Sequence, residues 1–105
     1  MDINYNELRK TTLATVPEDQ AFYVSRGDRI RTLKDLANCF EHLTEDEFRY
    51  HVNPSGPTNH PALWIRNTLH NTALANDLML DVNLRDQKHF VKTIRDHLKW
   101  LGAPY

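Results

Sequence analysis

Residues 32–48 read TLKDLANCFEHLTEDEF, and this stretch decides the fold. Leu33, Leu36, Ala37, Phe40 and Leu43 recur at i, i+3, i+4, i+7 and i+10, the spacing that lines one face of an α-helix. Thr32 with Asp35 three positions on resembles a capping box, in which side chains satisfy the free N–H groups at a helix start. Thr44 with Glu47 is the full pattern, and it opens a second helix carrying Phe48, His51 and Val52.

Working outward, Pro54-Ser55-Gly56-Pro57 breaks the second helix and reads as a loop. Asn59 then caps a third helix that accepts Pro61 in its first turn, where a missing N–H costs little. Its apolar residues are Leu63, Trp64, Ile65 and Leu69. Asn71 caps a fourth, with Ala73, Leu74, Ala75, Leu78 and Met79. The last helix is predicted from about Arg85 to Leu101, stopped by Gly102 and Pro104. Upstream, Phe22-Tyr23-Val24 and a short run at Ile30 flank Gly27-Asp28, the pattern of a small β-hairpin. Residues 1–20 are the least committed: Ile3, Tyr5, Leu8 and Leu13 suggest a short weak helix before a turn at Pro17-Glu18-Asp19-Gln20.

The expected fold is mainly α: a compact bundle of about five helices with a small N-terminal β-hairpin. A weakly structured segment 1–20 precedes a single helical domain over 21–105. The expected core holds Phe22, Leu33, Leu36, Phe40, Phe48, Trp64, Ile65, Leu74, Leu78, Ile94 and Leu98. With 105 residues the chain is one domain's worth. Thirteen basic against fourteen acidic residues leave a net charge of −1, which weakens a general nucleic-acid or membrane-surface role. No apolar run approaches the roughly 20 residues that span a bilayer. Cys39 is the single cysteine and forms neither an intrachain disulfide nor a Cys-based metal site. The start, Met1-Asp2-Ile3-Asn4-Tyr5, lacks a signal-peptide pattern, so the cytoplasm is the expected compartment.

Several short motifs carry a family resemblance: Phe22-Tyr23-Val24, Gly27-Asp28-Arg29-Ile30, Leu33-Lys34-Asp35-Leu36-Ala37, Thr44-Glu45-Asp46-Glu47-Phe48, His51-Val52-Asn53, Asn59, Trp64-Ile65-Arg66 and Leu74-Ala75. Through them residues 22–101 resemble a small uncharacterised domain family of bacteria and archaea. The chain departs from that pattern at His60-Pro61, where an acid and an aromatic are usual, and at His70-Asn71, where Gly-Asp is usual. The resemblance implies a compact, mostly helical unit and assigns no activity.

Six histidines invite a metal reading, but the usual ligand spacings are missing. Convergence of His51, His60 and His70 is the one arrangement to check; no cofactor or metal is expected. His51 shares a face with Phe48 and Val52, so its ring needs a buried partner, which Asn53 or a loop carbonyl would supply. His51, Asn53, His60 and Trp64 therefore either bind a small ligand or lock the Pro54–Pro57 loop, and the locking role is preferred. Glu41, Glu45, Asp46 and Glu47 are explained by capping and the helix dipole rather than by acid–base chemistry. Cys39 reads as a boundary residue, and Arg26-Gly27-Asp28 as a hairpin turn rather than an integrin-binding tripeptide. Arg85, Lys88, Lys92, Arg95 and Lys99 form a basic stripe on the last helix, opposite Val91, Ile94, Leu98 and Leu101.

With no catalytic constellation, the expectation is not an enzyme but a small protein-interaction or regulatory module with a protein partner. Two alternatives stay open: nucleic-acid binding through the basic face of helix 85–101, not favoured, and a ligand or metal site around His51 and Trp64. No membrane association is expected, and Trp100 and Tyr105 leave room for a homodimer contact.

Overall fold

The structure, a computed structural model, describes residues 4–53, 58–80 and 86–103. In chain order the elements are α1 (Tyr5–Thr12), a single 3-10 turn at Glu18–Gln20, β1 (Phe22–Tyr23), β2 (Arg29–Ile30), α2 (Leu33–Glu41), α3 (Glu45–His51), α4 (His60–Asn67), α5 (Thr72–Leu80) and α6 (Gln87–Trp100). The protein is mainly helical with a small antiparallel hairpin near its N-terminus.

Local chemistry sets the helix starts. Thr32 accepts from the Asp35 amide, and Thr44 and Glu47 close a reciprocal capping box. Asn59 accepts from the Ala62 amide, with Pro61 in the first turn of α4. Asn71 Oδ1 accepts from the Leu74 amide at 2.9 Å and does the same for α5. The last helix begins at Gln87, with Asp86 as its cap; Arg85 lies outside the described residues, as do Pro54–Pro57, Pro104 and Tyr105. Gly102, at φ +73°, turns the chain after α6 in a conformation that costs glycine little.

The stripe on α2 packs against α6, and α4 packs against α5. Every expected core residue is buried. At the centre lies Phe40, fully buried, with the rings of Phe22, Phe48, His51 and Phe90 at 5.7–6.3 Å between centroids. Leu63, one of the apolar residues of α4, is 40% exposed. Ala62 and Ile65 together with Trp64 already fill the helix's inner side, and position 63, one step of about 100° from either neighbour, points outward.

The N-terminal helix docks on the far end of α6. Tyr5 Oη donates to the Trp100 carbonyl at 3.0 Å and Arg9 Nε to the Leu101 carbonyl at 2.8 Å, occupying acceptors that the last turn of a helix leaves free. Tyr5 and Trp100 also meet edge to face, at 5.2 Å between centroids.

In the hairpin the Gly27 amide donates to Val24 O and the Val24 amide to Asp28 O. Gly27 sits at φ +109°, and a Cβ there would touch nothing within 4 Å. Backbone strain alone therefore opposes a side chain. Gly27→Ala is expected to lower stability by about 1–2 kcal/mol, read as a lower urea midpoint with unchanged slope.

Candidate functional site

The site begins with backbone pairing. Val52 and Asn59 form an isolated antiparallel bridge, and the Asn53 amide donates to Thr58 O at 3.0 Å. That register sets the end of α3 beside the start of α4 and brings residues 51 and 60 opposite one another. His51 Nδ1 and His60 Nδ1 lie 3.2 Å apart.

His51 is 2% exposed, whereas His60 faces solvent. Its ring is enclosed by Phe22, Phe40, Tyr50 and His60, with centroids 5.0–5.8 Å away. The other ring nitrogen, Nε2, accepts the Ser25 amide at 3.0 Å. An accepting Nε2 places the proton of a neutral imidazole on Nδ1, so His51 donates and His60 Nδ1 accepts. Burial, reinforced by the neighbouring His60, holds His51 below the usual histidine pKa, while Glu47 opposes this weakly.

Of the remaining expected site residues, Trp64 belongs to the surrounding scaffold. Its Nε1 donates to Gln20 O at 2.8 Å, and its ring meets Phe22, which also contacts His51. Asn53 takes part through the backbone pairing just described. His70, exposed at φ +56° after α4, does not join the pair: no three His, Cys, Asp or Glu side chains among the described residues are placed to hold a metal ion. His51 Nδ1, carrying its proton, also has no lone pair to offer a metal.

Sequence reading missed two polar devices. Asn71 Nδ2, buried, donates to Thr12 Oγ1 and to His97 Nε2, both at 2.9 Å, tying α1, α5 and α6 together. Burial lowers the pKa of His97 as well. Gln87 Nε2 donates to the carbonyls of Phe40 and Leu43 at 2.7 and 2.8 Å, closing the end of α2. Asn71 was legible as a cap; its second amide function depends on partners 59 and 26 positions away.

On the basic stripe, Lys92 pairs with Asp96 at 2.6 Å, and Arg95 reaches Glu41 at 2.9 Å and Asn38 at 3.1 Å. Arg95 beside Glu41 holds that carboxyl below its usual pKa. Lys88 and Lys99 are exposed. Between α2 and α6 runs an open groove of about 570 Å³, with Leu43 and Val91 among its lining and charges of both signs around them: Glu41, Asp86 and Asp96 with Lys88, Lys92 and Arg95. The hairpin tripeptide is closed on itself, because the Arg26 guanidinium grips both oxygens of Asp28 at 3.1 and 2.9 Å. Cys39 Sγ donates to the same carboxylate at 3.4 Å, and burial with Asp28 raises the thiol's pKa.

Comparison with protein-family models, with curated proteins and with solved structures finds no match to this chain.

Proposed function

We propose that this chain is a non-enzymatic protein-interaction module, and that a polypeptide segment of its partner docks in the α2–α6 groove. The groove carries the reading. Two apolar residues, Leu43 and Val91, amid charges of both signs suit a protein interface, in which apolar contacts supply burial and surrounding charges supply register. Three acidic and three basic side chains around Leu43 and Val91 suit a segment bearing both signs of charge about an apolar residue. Support for nucleic-acid binding through the same helix is weaker. Lys92 and Arg95 already face carboxylates, so a phosphate would have to displace Asp96 and Glu41.

A photo-crosslinking amino acid at position 88 tests this reading in cells. The expected result is a discrete adduct with one protein, absent when the same group stands at position 63 on α4 and lost on Lys92→Glu with Arg95→Glu. No adduct from position 88, or the same adduct from both positions, overturns it. A nucleic-acid adduct whose yield falls steeply with salt overturns it in favour of the alternative.

A further inference from the structure

We propose that the Ser25–His51–His60 line is a proton-operated latch: with both rings neutral it ties the hairpin turn to the α3–α4 junction, and one added proton parts the rings. The argument rests on the nitrogens. In the neutral pair, Nε2 of His51 accepts the Ser25 amide, and Nδ1 of His60 accepts the proton carried by Nδ1 of His51. Both lone pairs near the contact are thus occupied. A proton on His60 Nδ1 would set two N–H groups against each other at 3.2 Å, and a proton on His51 Nε2 would face the Ser25 N–H at 3.0 Å.

The rings differ in their freedom to respond. His51 is buried under Phe22 of β1 and Phe40 of α2, and it cannot turn without disturbing them. His60 is exposed and can carry the added proton into water, away from the contact. The charged or titratable groups acting on His51 are Glu47 from its own helix and His60 from α4, with the Tyr50 ring against both imidazoles. Glu47 is itself engaged with the Thr44 amide at 2.9 Å, so it stands as a weak counter-charge.

The sign follows from the depressed pKa of His51. The native state resists a proton that the unfolded chain accepts near 6.5. The latch is closed with both rings neutral; as pH falls the buried ring leaves the added proton to His60, the rings part, and the latch's contribution to stability is lost. His97 changes stability in the same direction, so a global melt does not separate the two. A residue-resolved measurement is required.

Long-range proton–nitrogen NMR of the labelled protein supplies it. Above pH 7 His51 is expected to show a protonated Nδ1 and a bare Nε2. During acidification the Ser25 amide and the His51 ring are expected to shift in the same step as the His60 ring signals. That step is expected to vanish in His60→Ala, whose exposed position lets the variant fold. A proton found on His51 Nε2 at neutral pH, or Ser25 and His51 signals that stay fixed while the His60 ring signals move, overturns the proposal.

Discussion

Phe40→Ala is expected to lower the unfolding free energy by about 4 kcal/mol, the middle of the range for a fully buried phenylalanine. Domains of this size are typically stable by only about 5–15 kcal/mol, so the variant approaches the limit of folding. Phe40 is 0% exposed and touches rings from β1, α3 and α6 at once. Deleting it removes apolar area and also opens a cavity in a ring-lined centre, where stiff neighbours cannot collapse to fill the space. Urea unfolding followed by tryptophan fluorescence measures the loss. Phe40→Leu separates volume from burial, with an expected loss of about 1–1.5 kcal/mol. A loss under 1 kcal/mol for the alanine variant would mean that the aromatic cluster is not the centre of the core.

Asn71→Ala is expected to cost about 3 kcal/mol, because one side chain performs two jobs. Its Oδ1 caps α5 through the Leu74 amide, a contact of the kind worth about 1 kcal/mol. Its Nδ2 serves Thr12 Oγ1 and His97 Nε2, and removing it leaves those groups without their donor, at a further cost of about 1–3 kcal/mol. Asn71→Ser keeps a capping oxygen and loses the donors. Thermal unfolding of the pair is therefore expected to show alanine below serine by about 1 kcal/mol, the share of the cap. Equal losses for the two variants would assign the whole effect to the donor side. The contact also explains how the N-terminal helix joins the bundle, since Thr12 is fully buried at the end of α1.

Both substitutions act on features that differ in how far the sequence exposes them. The stripe Leu33–Leu36–Ala37–Phe40–Leu43, the capping box at Thr44 and Glu47 and the caps at Asn59 and Asn71 were legible because they are local. A helix fixes which side chains share a face within two turns, and a cap links residues three apart. The hairpin followed from Gly27 between two short runs of strand-forming residues. On α4 the three consecutive apolar residues Leu63, Trp64 and Ile65 cannot all face inward, and Leu63 is the one that turns out.

The sequence by itself determined where helices begin, which faces are apolar and that His51 lies on an inner face. Only the tertiary structure decided what that histidine meets. The antiparallel bridge between Val52 and Asn59 sets His51 against His60, the hairpin delivers the Ser25 amide from 26 positions away, and Phe22 stands between the pair's surroundings and Trp64. Likewise the basic stripe was visible in the spacing of α6, but the pairing of its Arg95 with Glu41 on α2 was not. Hydrogen bonds and ion pairs depend on distances of about 3 Å, and between residues far apart along the chain only the packing of whole elements sets those distances.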